Sequence, residues 1–339
     1  MDPIFLTIGP LELRWYGLLI ALGVVLGAVW GVRAARARGL DPEWLLDMAP
    51  WMVLVGLVGA RLVYVLTSPG AYFGPGGNPL AAFAVWEGGL SIHGAVAGVV
   101  AVLAWRARRT GYNVWRYLDV LMPVMAFGII GGRLGNLMNG TDTGGRLTDW
   151  AIGFRWPEPG TPTFGEFGRL VFGEPLWLYA PPACSAPFAA GEPCVVHLTQ
   201  LYGALVGVLL IGVIVWALAR ARKHGAVMLH AVIWYSLLRS VIEEPFRDNP
   251  VPWQVYLDES GGVGLFTVTQ LASVPIIAVA WWLLAKRPLM SEETDPTPVA
   301  AAGAARGQAK RPAGGARAAA RREAARHEAK RSAGRKPRS

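Results

Sequence analysis

Three arginines lie within long apolar stretches of the sequence: Arg61, Arg133 and Arg239. An arginine at the centre of a lipid bilayer costs about 2.5–3.5 kcal/mol, so one that lies inside a membrane segment is expected to have a partner or a chemical task. A guanidinium group can bind two phosphate oxygens at once, which makes phosphate the natural ligand. The alternative is that each long side chain only extends to the lipid headgroups, and this alternative is strongest for Arg61.

Arg133 stands in the segment GGRLGNLMNG, residues 131–140. In a helix, Arg133, Asn136 and Asn139 lie on one face because they are three residues apart. Gly135 and the glycines before it leave the backbone open to a helix or a ligand. A close helix pair with asparagines as polar contacts would also explain the glycines and asparagines, but it would not explain the arginine.

Arg239 and Glu243 are four residues apart, so a regular helix places them on one face as an ion pair, and Pro245 then ends the helix. An arginine held by a carboxylate is a preorganised phosphate site. A purely structural ion pair is the alternative.

His93 is the candidate general base and lies in the segment EGGLSIHGAV, residues 87–96. An imidazole with a pKa of about 6.5 can accept a proton near neutral pH. The alternative is a histidine that only packs and forms hydrogen bonds. The five histidines are scattered without the spacing of a metal site, and the sequence has no glycine-rich phosphate loop. We therefore expect neither a metal nor a cofactor.

These residues are carried by apolar segments of about the 20 residues that span a bilayer. Hydrophobic residues make up 53% of the chain and charged residues only 16%. The sequence therefore predicts an all-α polytopic membrane protein with about seven transmembrane helices and no cleaved signal peptide. The predicted spans are 15–32, 44–66, 88–105, 117–139, 201–219, 226–243 and 266–285.

Lysine and arginine accumulate after the first, third, fifth and seventh of these spans. By the positive-inside rule, the N-terminus lies outside and the C-terminus in the cytoplasm. At about 1.5 Å of rise per residue, Tyr16, His93 and the three arginines then fall in the outer third of the bilayer. We expect a cationic pocket that opens to the outer leaflet and takes an anionic phospholipid.

Two further regions are distinguished by composition. Residues 140–197 are expected to form a small external head with some β structure, in which Cys184 and Cys194 form a disulfide or remain free thiols. Residues 300–339 hold twelve of the basic residues against two glutamates, which accounts for the net charge of +9. We therefore divide the chain into a transmembrane domain, 1–288, and a disordered basic cytoplasmic tail, 289–339. We expect a solvated tail and no nucleic-acid partner, with anionic headgroups or RNA as the alternative ligands.

Six sequence blocks occur in order: RWYG at 14–17, GARLVYVL at 59–66, WEGGLSIHG at 86–94, GRLGNLMNG at 132–140, HLTQLYG at 197–203, and the stretch 239–247. With these blocks the chain resembles the bacterial prolipoprotein diacylglyceryl transferases over residues 5–288. The resemblance implies a monomeric, multi-pass enzyme of the bacterial inner membrane that moves the diacylglyceryl group of phosphatidylglycerol onto the lipobox cysteine of a prolipoprotein signal peptide. A thioether forms and glycerol phosphate leaves, in the first step of lipoprotein maturation.

The resemblance also implies roles for individual residues. His93, Arg239 and Tyr16 would be catalytic, with His93 as the base that takes the thiol proton. Glu243 would hold Arg239, and Gln200 with Tyr202 would line the junction of the head and the fifth span. The substrate-binding residues would be Arg133, Asn136, Asn139, Gly135, Glu243, Arg61 and Gln200.

The chain departs from the family pattern at several positions. Thr141 and Asp142 follow the Asn-Gly pair where the family usually has glutamate, and Gly203 stands where another glutamate is usual. Ala95 replaces a glycine after the family histidine. A transporter or binder of anionic phospholipid would use the same arginines and remains the competing hypothesis, although such proteins more often contain internal repeats.

Overall fold

The structure, a computed structural model, describes residues 4–9, 11–85, 89–139, 145–155, 195–248, 253 and 255–286. Long helices dominate these ranges, and a short helix and a 3-10 helix at Pro79–Phe83 lie between the second and third long helices. The helices are α1 Trp15–Ala37, α2 Pro42–Thr67, α3 Pro69–Phe73, α4 Ile92–Thr110, α5 Val114–Asn139, α6 Thr199–Arg220, α7 Ala226–Leu238 and α8 Val268–Lys286.

Three small antiparallel strand pairs accompany the described helices. They are β1 Ile4–Ile8 with β2 Leu11–Arg14, β3 Phe154–Arg155 with β4 Val195–Val196, and β5 Val255–Asp258 with β6 Val263–Leu265. Strands β3 and β4 lie in the region 140–197, for which some β structure was predicted. Most of the predicted head, with both cysteines, and the whole predicted tail lie outside the described residues.

Six helical stretches are long and apolar enough to cross a membrane: Trp15–Ala37, Pro42–Thr67, Val114–Met138, Thr199–Arg220, Ala226–Phe246 and Val268–Lys286. The prediction of a helical polytopic membrane protein is therefore confirmed. Helix α4 coincides with the third predicted span, but three arginines in its last turns leave only a short apolar part. A seventh span and the orientation in the membrane stay predictions.

Glycines set how closely the helices pack. Helix α1 lies against α5 through Gly23, Gly27 and Gly31, where a Cβ atom would collide with the α5 backbone at Phe127, Val124 and Val120. Helix α2 packs in the same way on α4, with Gly59 against the backbone of Gly94. Close backbone approach of this kind favours helix association in lipid, where burial of apolar surface gives little driving force. The first turn of α4, which carries His93, is thereby fixed to α2.

A buried carboxylate joins α7 to α5 at the end of these helices opposite to Arg133. Asp119 of α5 is 0% exposed. Its two oxygens accept hydrogen bonds from the backbone N–H groups of Gly225 and Met228, both at 2.9 Å. A carboxylate in this place satisfies N–H groups that have no partner within the helix and interacts favourably with the helix dipole. The N-terminal end of α7 is therefore fixed to α5, while the C-terminal end of α7 leads to the candidate site.

Candidate functional site

Helix α7 ends in a π-turn, Arg239–Glu243, followed by a 3-10 turn, Glu244–Phe246. A π-turn closes after five residues instead of four, so the fifth residue returns to the same face. Arg239 accordingly pairs with Glu244: its Nε and Nη2 atoms each lie 2.9 Å from Glu244 Oε1. The predicted partner, Glu243, interacts with Arg239 only as a nearby charge, and the direct hydrogen bonds go to Glu244 because the helix is not regular up to Pro245.

Glu243 instead bridges two other arginines. Its side chain is 1% exposed, and Oε1 accepts hydrogen bonds from Nη2 of Arg133 and, at 3.1 Å, from Nη1 of Arg247. Arg133 belongs to α5, whereas Arg247 directly follows the 3-10 turn. One buried carboxylate therefore fixes the α5 arginine to the turn that ends α7. Arg247 ends the sixth sequence block, and the structure places it in contact with Glu243.

These five residues, Arg133, Arg239, Arg247, Glu243 and Glu244, form what we call the arginine cluster. Both glutamates are at most 1% exposed, and the three arginines are largely buried. Three guanidinium groups and two carboxylates give the cluster a formal charge of +1. Because buried charge is costly unless it is compensated, the three arginines and two glutamates stabilise each other, and the arginines give the cluster a positively charged environment.

Two glycines bring other helices against the cluster. A Cβ atom at Gly203 of α6 would lie only 2.5 Å from Arg133 Nε, so the absence of a side chain there makes room for the guanidinium group. A Cβ atom at Gly135 would lie 2.8 Å from Tyr16 Cδ2. The structure therefore brings Tyr16 of α1 beside the turn of α5 that carries Arg133. Asn136 lies in the same turn, and Asn139 is the last residue of α5.

Gln200 lies one turn before Gly203, on the face of α6 that looks toward Arg133. Its side chain is 0% exposed, yet among the described residues neither amide atom has a hydrogen-bond partner. A buried polar group without a partner costs about 1–3 kcal/mol, so this amide is ready to bind a polar ligand. The position is consistent with the predicted substrate contact.

His197, which the sequence analysis passed over within the HLTQLYG block, is 0% exposed. Its Nε2 lies 2.7 Å from the carbonyl oxygen of Gly261 and its Nδ1 lies 3.1 Å from the Tyr202 hydroxyl. A carbonyl only accepts, so Nε2 carries the proton and Nδ1 accepts from Tyr202. Burial lowers the pKa of His197, and the bond to Gly261 opposes that shift only in part. The neutral imidazole packs on Phe246, directly beyond Glu244 and Pro245.

His93 is the second residue of α4 and its side chain is exposed. No contact found among the described residues joins it to Arg133 or Arg239. The predicted base therefore lies on α4, which packs against α2, whereas the predicted cations lie on α5 and at the end of α7. The role of His93 stays a prediction.

Arg61 has a different environment from the other two arginines. Its side chain is 6% exposed, so it does not extend to the headgroups. The guanidinium group donates to the carbonyl oxygens of Ala81, Ala82 and Gly89, the last two at 2.9 and 3.1 Å. These bonds hold the connection between α2 and α4 and need no substrate. The predicted substrate contact of Arg61 stays a prediction.

The fold is that of a polytopic membrane protein whose helices bury a cluster of three arginines and two glutamates. The family model for prolipoprotein diacylglyceryl transferase matches residues 3–286. The phosphatidylglycerol–prolipoprotein diacylglyceryl transferase of Thermus thermophilus is 43% identical over 286 residues, which cover 82% of this chain and 95% of the relative. That of Deinococcus radiodurans is 39% identical over 316 residues, 88% of each chain. This chain belongs to the prolipoprotein diacylglyceryl transferase family, which confirms the resemblance found in the sequence.

The space at Gly203 generates a first prediction. Gly203→Ala pushes a methyl group into Arg133 and loosens its bond to Glu243, so we expect a loss of about 1–3 kcal/mol in the free energy of unfolding. Gly212→Ala is the matched control, because it lies in the same helix and a Cβ atom there meets nothing within 4 Å. Thermal unfolding in detergent measures both variants. Equal melting temperatures for the two would contradict the close contact at Gly203.

The state of His197 generates a second prediction. Because its pKa is lowered in the folded protein, the unfolded chain binds the extra proton first on acidification. The stability that depends on neutral His197 is therefore complete above a pH of about 6.5 and is lost as the pH falls below that value. We expect the melting temperature to fall between about pH 7.5 and 5.5, and to fall less in His197→Gln. Identical pH dependence in both proteins would rule out a neutral, buried His197.

Proposed function

We propose that this enzyme transfers the diacylglyceryl group of phosphatidylglycerol to the lipobox cysteine thiol of a prolipoprotein signal peptide. Family membership gives the reaction. The observation that carries the proposal for this chain is the arginine cluster, whose single excess positive charge complements the single negative charge of a phosphodiester headgroup. The reaction is the first step of bacterial lipoprotein maturation.

The bond changes explain why the site needs cations. The cysteine sulfur attacks the terminal glyceryl carbon, and the bond from that carbon to the phosphate oxygen breaks. Glycerol phosphate leaves with the electron pair, while the thiol proton passes to a base. Negative charge therefore grows on the phosphate in the transition state, and fixed positive groups in a water-poor site stabilise it. We assign this stabilisation to Arg133 and Arg239.

The remaining substrate contacts follow from position. Tyr16 and Asn136 lie beside Arg133, and we assign their polar groups to the headgroup oxygens, together with Asn139 at the end of α5. Because Gly135 has no side chain, it leaves room for the Tyr16 ring to pack against α5. The amide of Gln200, for which the described part of the chain offers no hydrogen-bond partner, is assigned to a polar group of the bound lipid.

Glu243 is assigned to hold Arg133 and Arg247 in place of the Arg239 first expected. A carboxylate oxygen shared by two guanidinium groups restrains both of them, which holds the two arginines in a fixed position for a phosphate. The family's usual glutamate at the position of Gly203 would occupy the space of the Arg133 side chain in this chain.

His93 is assigned as the general base. A thiol with a pKa of about 8.5 is mostly protonated at neutral pH and reacts slowly until a base removes the proton. The exposed side chain of His93, at the start of α4, is accessible to a peptide that approaches from the lipid or the outer surface. The base would thus meet the acceptor on one side of the site while the cations hold the donor lipid on the other.

The membrane arrangement proposed for the enzyme is seven helices in the bacterial inner membrane, with an outer N-terminus and a cytoplasmic C-terminus. The basic residues that follow α1, α4, α6 and α8 support this orientation. We assign residues 1–288 to a monomeric catalytic domain, 140–197 to its external head, and 289–339 to a basic cytoplasmic tail.

A lipid binder or transporter is the second candidate, because a buried cluster with one excess positive charge suits phospholipid binding without chemistry. The experiment that separates the two uses purified enzyme, phosphatidylglycerol and a lipobox peptide. We expect mass spectrometry to show peptide carrying a thioether-linked diacylglyceryl group and an equal amount of glycerol phosphate. Binding of the lipid without product, where the Thermus relative is active, would favour the binder.

Arg133→Lys tests the contribution of the cluster in the same assay. Lysine keeps the charge but loses the planar pair of donors, so we expect the turnover number to fall about 100-fold. Arg36→Lys, at an exposed position of α1, is the matched control and should keep normal turnover. Full activity of Arg133→Lys would contradict the proposal that the guanidinium group of Arg133 binds two phosphate oxygens at once.

His93→Asn tests the base. We expect turnover at neutral pH to fall about 100-fold or more and to recover partly as the pH approaches the pKa of the thiol, since ionised thiol needs no base. The matched control is His230→Asn in α7, where the histidine packs against Trp216. Normal turnover of His93→Asn at neutral pH would end the assignment.

A further inference from the structure

Helix α8 starts with a reciprocal pair of hydrogen bonds between Thr267 and Gln270. The Thr267 hydroxyl accepts from the Gln270 backbone N–H at 3.2 Å, and the Gln270 side-chain oxygen accepts from the Thr267 backbone N–H at 3.0 Å. This arrangement is a capping box, which satisfies two of the N–H groups left free at a helix start. Neither residue was singled out by the sequence analysis.

Each residue of this capping box also donates a hydrogen bond to the segment that carries Arg239. The Thr267 hydroxyl donates to Glu244 Oε2 at 3.2 Å. The Gln270 amide nitrogen donates to the carbonyl oxygen of Ser240 at 2.9 Å. Thr267 and Glu244 are both 0% exposed, so water does not compete for the first of these bonds. The capping box therefore connects two helices.

The backbone just before the capping box is strained. Phe266 has a φ of 61°, a left-handed conformation that a bulky side chain rarely adopts. Such a conformation persists only where surrounding contacts fix it, and these conformations concentrate at functional sites. Here it lets the chain leave β6 and place Thr267 directly against Glu244. The π-turn that receives the contacts is itself a rare conformation associated with functional sites.

We propose that the capping box of α8 positions Arg239 for the reaction. Thr267 orients the Glu244 carboxylate, whose other oxygen receives both hydrogen bonds from Arg239. Gln270 holds the π-turn, and the π-turn is what puts Arg239 and Glu244 on one face. Thr267 and Gln270 are thus positioning residues that act on the phosphate through Arg239. The inference rests on the proposed function, in which Arg239 stabilises the leaving phosphate.

Three variants test the positioning role, and one of them, Gln270→Glu, separates it from helix capping. Thr267→Val keeps the shape and removes the hydroxyl, while Thr267→Ser keeps the hydroxyl. Gln270→Glu retains an oxygen for the capping box, in which glutamate is equally suitable, but it removes the donor to Ser240. We expect turnover per folded enzyme to fall about tenfold in Thr267→Val and Gln270→Glu, with a smaller change in KM for phosphatidylglycerol, and Thr267→Ser to restore it.

The control is Val268→Ala, because Val268 lies in the same turn, is 55% exposed and points away from the network. It should keep normal turnover. The inference would be overturned if turnover per folded enzyme were unchanged in both Thr267→Val and Gln270→Glu. This includes the case in which total activity falls only in proportion to the fraction of enzyme that is folded. Failure of the unsubstituted enzyme to form the thioether would instead contradict the proposed function.

A second measurement reports on Arg239 without any reaction. In enzyme labelled with 15N-arginine, the Nε–H signal of Arg239, assigned by its absence in Arg239→Lys, should be sharp and shifted in the unsubstituted chain. We expect it to broaden in Thr267→Val and Gln270→Glu but not in Thr267→Ser or Val268→Ala. An Nε–H signal that is the same in all four variants would overturn the positioning role independently of activity.

Discussion

The candidate site depends on one shared carboxylate, that of Glu243. Three arginines cannot be buried next to each other unless negative charge separates them, and removing one partner of a buried ion pair typically costs about 3–5 kcal/mol. Glu243 compensates Arg133 and Arg247 together, and Glu244 compensates Arg239. The absence of a side chain at Gly203 leaves the space that lets Arg133 reach Glu243.

Two adjacent glutamates contact different arginines, and the geometry at the end of α7 decides which glutamate pairs with Arg239. In an α-helix successive side chains point about 100° apart, and a carboxylate four residues after Arg239 would be its partner. The π-turn moves that partnership to the fifth residue and leaves Glu243 free to face α5. The same turn brings Ser240 and Glu244 to the start of α8, where the capping box holds both. The extra residue in the π-turn therefore determines which arginines Glu243 and Glu244 each contact.

The sequence predicts some of these features well and others not at all. The length of the apolar segments was sufficient to predict a membrane protein. The cost of placing a charge in lipid was sufficient to predict that Arg133 has a partner or a chemical task, and the structure shows its ion pair with Glu243. The partner of Arg239 was mispredicted because a π-turn has no pattern in the side chains that distinguishes it from an α-helix. Arg61 binds backbone carbonyls, which every residue carries, so its structural task leaves no trace in the sequence. The Thr-x-x-Gln pattern of the capping box, by contrast, was readable at residues 267–270 and precedes an apolar run.

The excess charge of the cluster also bears on how the proposed reaction ends. The donor lipid carries one negative charge and would make the site neutral. Once the carbon–oxygen bond breaks, the product is a phosphate monoester whose second ionisation has a pKa of about 6, so near neutral pH it carries close to two charges. In the proposed reaction the cluster would stabilise this second charge as it develops but would not balance it fully, and the product would have lost the acyl chains that kept it in the lipid. A charge of +1 on the five residues of the cluster would then favour the transition state and leave the product one charge out of balance, which would promote its release into water.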